Sequence, residues 1–431
     1  MIGPSTAFLA ALLSLSLSAP VLADSNTAAP YPATTFAECQ AKTADPLQGC
    51  PEGTIYVSLN DTKADFTSIQ SAILSIPNDT VSYYILIAAG NYYEQLNVTR
   101  SAPLYLLGQS NLPSQGKTYA ADVNYNQTAQ NDVQVWYNVA NVGGDLFSDN
   151  VYTSVLTIGP TLNATLTGSG TTGFAVPDDT PFGTRDFRAY NIDFRNEYAP
   201  YSDGPALAVG VSRANAGFYS CGFYSWQDTV YVGKLGNAYF YDVVVAGETD
   251  FLYGFGTLYI TKSTLSLRHC GGGITAWKGT NTTFTNKYGV YIDSTQVLAN
   301  NWTTKAEIVG ECALGRPWND AHRSVFMDSY FDTSILPAGY IEWQPTLPRV
   351  DNYTFMATWE DYGPGWDPAA EEASNITLVL NDTEVAPLSL AEGCVPGKQW
   401  QHGKYLVGRS QRLSPVLDHI NLISLSSAHK L

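Results

Sequence analysis

The chain is poor in positive charge. Of its 431 residues, 22 are Lys or Arg and 39 are Asp or Glu, which gives a formal net charge of −17. Binding to nucleic acid depends on basic patches that neutralise phosphates. The composition therefore argues against a nucleic-acid partner, while the acidity itself indicates no more than a soluble surface.

Apolar runs long enough to cross a membrane are also missing. The most apolar stretch, residues 8–23, is interrupted by Ser and Pro and is too short to span a bilayer. It ends in "VLA", which fits a signal-peptidase site. The sequence thus predicts a signal peptide at residues 1–23 and a secreted, extracellular protein with no membrane partner.

Sequons support a secretory route. Ten Asn residues begin an N-x-[ST] motif, and such sites carry glycans on the surface of secreted proteins. We therefore expect a glycoprotein, although some of the sequons will have arisen by chance. They are Asn60, Asn78, Asn97, Asn126, Asn163, Asn281, Asn301, Asn352, Asn375 and Asn381.

Cysteine is scarce, and its spacing argues against a metal site. There is no CxxC motif, and the one His near a Cys is His269, beside Cys270. An even number of cysteines in a secreted protein favours disulfides, but six allow 15 pairings. Cys39 with Cys50 is the simplest pair because the loop between them is short. The six are Cys39, Cys50, Cys221, Cys270, Cys312 and Cys394.

Helical periodicity is confined to one short segment. Residues 66–77, "FTSIQSAILSIP", fit an amphipathic helix that Pro77 ends. The rest of the chain up to residue 343 is rich in short aromatic and β-branched segments bounded by Gly, Asn, Asp or Pro. Segments such as "AGFYSCGFYS" and "NAYFYDVVVAG" recur at roughly 20–25 residues, within the range of repeat architectures. This pattern predicts an all-β solenoid rather than a sandwich or a βαβ sheet.

Two aspartates lie about one repeat apart in this region. Asp228 is in "SWQDTV" and Asp250 is in "ETDFLYG". If a coil has 22 residues, their side chains emerge side by side at about 4.8 Å, the spacing of neighbouring strands. Adjacent carboxylates cannot both ionise cheaply, so one pKa rises and the pair suits a general acid beside a nucleophile or base. The alternative is a pair of aspartates that cap turns.

A further motif favours the catalytic interpretation. "ALGRPWND" (313–320) contains Arg316, whose guanidinium can hold a carboxylate bidentately and keep its pKa low. Trp318 in the same motif can form the apolar wall of a sugar subsite.

Together, these motifs resemble those of the pectin methylesterase family of carbohydrate esterases. The match runs in order from residue 54 to 368 and includes "FTSIQ" (66–70), "GNYYE" (90–94), "WQDTV" (226–230), "TDFLYG" (249–254), "LGRPW" (314–318) and "AGYIEW" (338–343). The resemblance implies a single-stranded, right-handed parallel β-helix. It also implies a secreted, fungal-type enzyme that hydrolyses galacturonate methyl esters in pectin to methanol and de-esterified pectin.

The resemblance also implies roles for individual residues. Asp250 would be the nucleophile, Asp228 the acid/base, Gln227 an oxyanion donor and Arg316 the residue that orients the nucleophile. Three aromatic residues would contact the substrate: Trp226, Tyr253 and Trp318. We expect no metal and no organic cofactor, and a monomer that acts on methyl-esterified homogalacturonan.

One position departs from the family pattern. The family has a second glutamine one coil before the QDT motif, and ungapped counting from Gln227 places Pro205 there. Proline has neither a side-chain amide nor a backbone N–H. Loss of one oxyanion donor costs about 2.7–4 kcal/mol of transition-state stabilisation. We therefore expect a slow enzyme unless another donor substitutes, and Ser202 is a candidate by its nearness in sequence.

These features predict the following division of the chain. A leader (24–53) precedes the β-helix catalytic domain (54–368), which carries an insertion at 113–150. An extension (369–431) would cap the open last coil. The insertion is expected to be a surface excursion, with a lid over the cleft as the alternative.

Two other functions remain open at this point. Because of Pro205, the protein could be a family member that binds cell-wall polysaccharide without turnover. A polysaccharide lyase or glycosidase on the same kind of solenoid is the other alternative.

Overall fold

The computed structural model describes residues 36–110, 119–126, 129–144, 146–168, 170–171, 173, 179–279 and 288–388. The expected signal peptide lies outside these residues, as does the extension beyond residue 388. Among the described residues, no helix has the length and apolar character needed to cross a membrane.

Helices are short wherever they occur in the described residues. They are α1 (Ala37–Gln40), α2 (Ile69–Ser75), α3 (Leu162–Thr165), α4 (Trp302–Glu307), α5 (Pro368–Ser374) and α6 (Asp382–Val385). The sequence predicted α2, which Ser68 caps by accepting a hydrogen bond from the Ser71 N–H. The other five have between four and seven residues and are too short to produce a periodic pattern.

Strands make up most of the remaining regular structure. The first thirteen are β1 (Ile55–Val57), β2 (Tyr83–Ile87), β3 (Gly90–Tyr93), β4 (Leu96–Val98), β5 (Leu104–Gly108), β6 (Val133–Trp136), β7 (Leu156–Ile158), β8 (Phe187–Tyr190), β9 (Ile192–Arg195), β10 (Val209–Val211), β11 (Asn215–Tyr219), β12 (Gly222–Tyr224) and β13 (Val230–Val232). The others are β14 (Asn237–Tyr241), β15 (Val244–Gly247), β16 (Leu252–Gly254), β17 (Thr257–Thr261), β18 (Thr264–Leu267), β19 (Gly273–Trp277), β20 (Gly289–Asp293), β21 (Gln296–Ala299), β22 (Ala313–Gly315), β23 (Arg323–Met327), β24 (Tyr330–Phe331), β25 (Phe355–Trp359) and β26 (Leu378–Val379).

The strands form three sheets in which neighbours come from successive coils. One sheet has the order β1-β2-β5-β8-β11-β14-β17-β20-β23-β25-β26, the second β22-β19-β16-β13-β10-β7-β4, and the third β24-β21-β18-β15-β12-β9-β6-β3. Pairing is parallel, as between β11 and β14 or β13 and β16. Each coil thus passes once through each sheet, and the fold is a right-handed parallel β-helix. The predicted solenoid is confirmed.

In six successive coils, a single left-handed residue turns the chain from the eleven-stranded sheet into the eight-stranded one. Non-glycine residues seldom adopt positive φ, and short polar side chains tolerate it best. Here it recurs at the same corner, with φ between 47° and 56°. The residues are Asn191, Ser220, Asp242, Lys262, Ser294 and Asp328.

Aromatic ladders explain the cadence seen in the sequence. Inside the β-helix, Phe223 stacks on its register partner Phe194 of the preceding coil at 5.7 Å between ring centroids. Phe240 of the eleven-stranded sheet packs on Phe223 across the interior at 4.7 Å. On the outer face of the eleven-stranded sheet, Tyr239 and Tyr259 stack in the same way at 6.3 Å. Because paired residues of successive coils are in register, identical side-chain types align into stacks.

Two disulfides join the described cysteines. The expected pair, Cys39 and Cys50, ties the leader, and Cys270 with Cys312 links two successive coils near the LGRPW motif. Cys221 is buried and free. Cys394 lies outside the described residues.

Part of the predicted insertion belongs to the solenoid. Strand β6 pairs with β3 and β9 in the eight-stranded sheet. Before it, the Tyr119 hydroxyl donates to Asp193 at 2.7 Å, and the Tyr119 N–H donates to Asp242 at 2.9 Å. These contacts place residues 119–126 and 129–136 along the eight-stranded sheet. The sequence missed β6 because "VQVW" is four residues long within a polar stretch.

A buried glutamate lies near the last coils. Glu371 of α5 is 1% exposed and accepts hydrogen bonds from the Thr358 hydroxyl and the Trp366 indole at 2.7 and 3.3 Å. Burial raises the pKa of Glu371 from 4.5 to about 7. Burial also raises the pKa of the nearby Asp361 well above its usual value. The folded protein therefore holds the Glu371 proton up to about pH 7, whereas the unfolded chain releases it near its ordinary pKa.

This cluster predicts lower stability at higher pH. The contribution of protonated Glu371 to the free energy of unfolding is fully present below the pKa that Glu371 has in the unfolded chain. Up to about 3 kcal/mol of it is lost as pH rises through the pKa of Glu371 in the folded protein. In Glu371→Gln, which is neutral throughout, the free energy of unfolding should fall less between pH 5 and pH 8. Denaturant titrations at both values measure this. Glu372→Gln, on the exposed side of the same helix, is the control and should show the wild-type change of the free energy of unfolding with pH. The same change in Glu371→Gln would show that Glu371 does not cause it.

Candidate active site

Backbone register brings Asp228 and Asp250 together. Gln227 pairs with Thr249 in a parallel bridge, so the next residues, Asp228 and Asp250, lie in adjacent coils. The Asp228 N–H donates to the Thr249 carbonyl at 3.1 Å, and the Asp250 N–H donates to the Gly273 carbonyl at 2.8 Å. Asp228 and Asp250 therefore lie side by side in adjacent coils, as their spacing in the sequence predicts.

Both aspartates occupy left-handed backbone positions. Their φ angles are 59° at Asp228 and 48° at Asp250, at the corner where the chain enters the seven-stranded sheet. Asp is among the residues that tolerate this region, and such conformations often occur at functional sites. The same local geometry in two successive coils directs both carboxyl groups to the same corner.

Arg316 holds Asp250 with two hydrogen bonds. Its Nε donates to Asp250 Oδ1 at 2.9 Å and its Nη2 donates to Oδ2 at 2.7 Å. The Gly273 N–H adds a third bond to Oδ1 at 3.2 Å. A carboxylate held by a planar fork and a backbone amide has a defined orientation.

A glycine leaves space for the Arg316 guanidinium that binds Asp250. Gly272 has φ +84°, and a Cβ there would lie 2.6 Å from the guanidinium carbon of Arg316. No role was predicted for Gly272 from the sequence. A signal was present, because Gly272 follows Asp250 by 22 residues, the same spacing that separates Asp250 from Asp228.

Gly272→Ala should therefore damage the site. The added methyl group must displace the Arg316 guanidinium, and misplacement of such a group by about 1 Å can cost 10²-fold in rate. For the methyl-ester hydrolysis that the sequence resemblance implies, we expect a fall of about 100-fold in kcat, measured as methanol release. Gly53→Ala is the matched control, because Gly53 has φ +78° with no atom within 4 Å of the built Cβ. Equal activity in both variants would show that the Arg316–Asp250 contact does not need the space beside Gly272.

The two carboxyl groups differ in their partners. Burial, and then the charge of Asp250, raise the pKa of Asp228 well above its usual value, while Lys278 and Arg316 offset this in part. In the described part of the chain, the Asp228 carboxyl has no hydrogen-bond partner. Burial also raises the pKa of Asp250, and the Arg316 contacts oppose that rise. The expectation that Arg316 keeps the pKa of Asp250 low is wrong in net direction, because burial outweighs the guanidinium.

The order of ionisation follows from these contacts. Asp250 has the compensating cation and ionises first, and its charge then disfavours ionisation of Asp228. The arrangement supports one ionised carboxylate beside one protonated carboxyl group.

Gln227 and Pro205 lie in successive coils. The Ala206 N–H donates to the Gln227 carbonyl at 3.1 Å, just as the Asp228 N–H donates to Thr249 one coil later. Pro205 therefore lies where counting from Gln227 places it. Ser202 lies close by, and its hydroxyl donates to Gln227 Oε1 at 3.1 Å.

The predicted aromatic residues have different environments. Trp318 is partly exposed, with the Lys278 Nζ 3.1 Å from its ring centroid. Trp226 is also partly exposed, with the Arg268 guanidinium 5.0 Å from its ring. Tyr253 is 1% exposed and lies behind Trp318, 5.4 Å between centroids. The prediction that Tyr253 contacts substrate is therefore corrected: it supports Trp318 from behind.

Trp343 also lies at the site, although it was not among the site residues predicted from the sequence. Its ring lies between two guanidinium groups, those of Arg316 and Arg349, each 4.2 Å from the ring centroid. The Trp343 carbonyl also accepts from Arg316 Nη1 at 3.5 Å. Trp343 therefore packs against the residue that holds Asp250.

No group of three or more His, Cys, Asp or Glu side chains in the described ranges could hold a metal ion. The site combines a carboxylate held by Arg316, a second carboxyl group with a raised pKa and a primary amide, all on a parallel β-helix. This arrangement suits a β-helical hydrolase in which two aspartates act together.

Over about half of its length the chain is similar to the pectinesterase family, a family of carboxylic ester hydrolases. The pectinesterase family model matches residues 169–379. Pectinesterase 11 of Arabidopsis thaliana is 28% identical over 342 residues, covering 78% of each chain. Pectinesterase A of Aspergillus niger is 26% identical over 290 residues, covering 67% of this chain and 73% of its own.

Solved structures are similar in fold. The crystal structure of pectin methylesterase from Aspergillus niger matches with a TM-score of 0.60 and 20% identity, over 84% of this chain and 98% of that one. Pectin methylesterase from carrot matches with a TM-score of 0.59 and 18% identity, over 84% and 99%.

Proposed function

We propose that this protein hydrolyses the methyl esters of galacturonate residues in pectin, with Asp250 as the nucleophile and Asp228 as the acid and base. The observation that carries the proposal is the bidentate Arg316–Asp250 contact, one coil away from a buried carboxyl group with a raised pKa. Similar structures support the substrate class, since one is a pectin methylesterase in complex with a hexasaccharide.

The first half of the reaction forms an acyl-enzyme. An Asp250 carboxylate oxygen attacks the ester carbonyl carbon, and the carbonyl oxygen takes up the negative charge. The Gln227 amide donates a hydrogen bond to that oxyanion. When the carbon–methoxy bond breaks, Asp228 transfers its proton to the leaving oxygen and methanol departs.

The second half restores the enzyme. Asp228, now ionised, takes a proton from water as the water oxygen attacks the acyl carbon. The bond to Asp250 breaks, which releases the galacturonic acid carboxyl group and returns Asp250 to its ionised form. The product then loses its carboxyl proton to solvent and becomes galacturonate. Asp228 is again protonated, so both groups are ready for the next ester.

The walls of the site suit a saccharide. Trp226, Trp318 and Trp343 are partly exposed around the aspartate pair, and aromatic rings pack well against the apolar faces of sugars. We further propose that the protein is secreted from about Asp24 and acts as a monomer on methyl-esterified homogalacturonan.

Product analysis tests the function. Purified protein incubated with highly methylated pectin should release methanol and leave free carboxylate groups. Unsaturated products that absorb in the ultraviolet would instead identify a lyase, and new reducing ends without methanol would identify a glycosidase. Pectin binding without any product would favour the non-catalytic alternative suggested by Pro205.

A further inference from the structure

Ser202 connects two coils of the site. Its N–H donates to Glu248 Oε2 at 3.2 Å, and its hydroxyl donates to Gln227 Oε1 at 3.1 Å. Glu248 itself is anchored because its N–H donates to the Trp226 carbonyl at 2.7 Å. Ser202 is partly exposed and lies beside the Gln227 amide at the aspartate pair.

The contact with Gln227 selects one orientation of the amide. A primary amide has an acceptor oxygen and a donor nitrogen of almost equal size, and the hydrogen-bond partners decide which way it turns. A hydroxyl that donates to Oε1 turns Nε2 away from Ser202. Among the described residues, Gln227 Nε2 has no hydrogen-bond partner, so its two donors remain available to an oxyanion.

Pro205 makes this orientation more important. It lies one coil before Gln227, and it can supply neither a side-chain amide nor a backbone N–H. Gln227 therefore acts without a second amide at that position. If its amide turned over, the site would direct an oxygen at the developing negative charge instead of an N–H.

We propose that Ser202 is a positioning residue that holds the Gln227 amide with its donors towards the reacting carbonyl, and so offsets the absence of a glutamine at position 205. This proposal rests on the proposed esterase function. Ser202 does not itself donate to the oxyanion, because its hydroxyl proton is committed to Gln227 Oε1.

Two variants of Ser202 measure the effect. Ser202→Ala removes the donor and should lower kcat by about 10-fold with little change in KM, since the loss falls on the transition state. Ser202→Thr keeps the hydroxyl and should remain within about 2-fold of wild type. A fall in melting temperature without a change in kcat would reduce Ser202 to a structural residue and overturn the proposal.

A double-mutant cycle separates an indirect role from a direct one. Once Gln227→Ala has removed the amide, adding Ser202→Ala should change kcat no further, because Ser202 acts through that amide. Independent, multiplying losses would show that Ser202 contacts the oxyanion itself and would overturn the proposal.

Neutron crystal structures of wild type and Ser202→Ala locate the amide hydrogens and provide a readout that does not depend on activity. In wild type the Gln227 Nε2 hydrogens should point away from Ser202, and in the variant the amide should be turned over or present in both orientations. The same single amide orientation in both proteins would contradict the positioning role, even if the protein released no methanol. Absence of methanol from wild type would instead count against the proposed function.

Discussion

Asp250→Asn is expected to lower kcat for methanol release by at least about 10⁴-fold, as loss of a nucleophile does in other covalent hydrolases. Asn has nearly the same shape and can still accept one hydrogen bond from Arg316, so the coil should remain intact. It cannot form the acyl-enzyme, because an amide is a poor nucleophile. Initial rates on highly methylated pectin provide the measurement.

Asp328→Asn is the matched control for this prediction. Asp328 is an exposed aspartate with φ 47°, at a left-handed corner of a later coil. It shares the residue type and backbone conformation of Asp250 but has no place in the proposed chemistry, and its variant should be fully active. Substantial methanol release by Asp250→Asn would remove Asp250 from the nucleophile role.

Asp228→Asn should lower kcat by about 10²–10⁴-fold, the usual contribution of a general acid or base. It should also change the pH profile. Asp228 must be protonated when methanol leaves, so in wild type kcat/KM falls as pH rises through its raised pKa. Asp250 must be ionised, so kcat/KM also falls as pH drops through the pKa of Asp250.

Only one of these two limbs should survive in Asp228→Asn. The variant has no proton to lose at position 228, so the decline at high pH that Asp228 causes should disappear. The decline at low pH should remain, because Asp250 is unchanged. A profile of kcat/KM from pH 4 to pH 9 would decide the matter, and an intact high-pH limb would assign the acid to another group.

The sequence was sufficient to predict the solenoid and the residues that its ladder aligns. Asp228 and Asp250 could be paired from their spacing because a parallel ladder places residues one coil apart side by side. The LGRPW motif likewise identified Arg316 as the partner of a carboxylate. These inferences depend on backbone register, which a repeat in the sequence reports directly.

Other features depend on three-dimensional packing and could not be predicted in this way. The burial of Tyr253 behind Trp318 depends on how rings from different coils stack. The net pKa shift of Asp250 depends on how much solvent the surrounding coils exclude. Strand β6 was missed because its pairing with β3 and β9, rather than its own four residues, makes it a strand.

The left-handed corners at Asp228 and Asp250 carry a consequence for chain length. Val230 pairs with Leu252 just beyond them, which fixes 22 residues from one coil to the next. Deletion or insertion of one residue inside β13 or β16 would shift this pairing by one position and turn alternate side chains to the opposite face of the sheet. The turns between strands can absorb a change of length, because the same sheet also pairs Val209 with Val230 and Leu252 with Thr275, which are 21 and 23 residues apart. Natural variation in length should therefore be absent from the strands and accumulate in the turns of the solenoid.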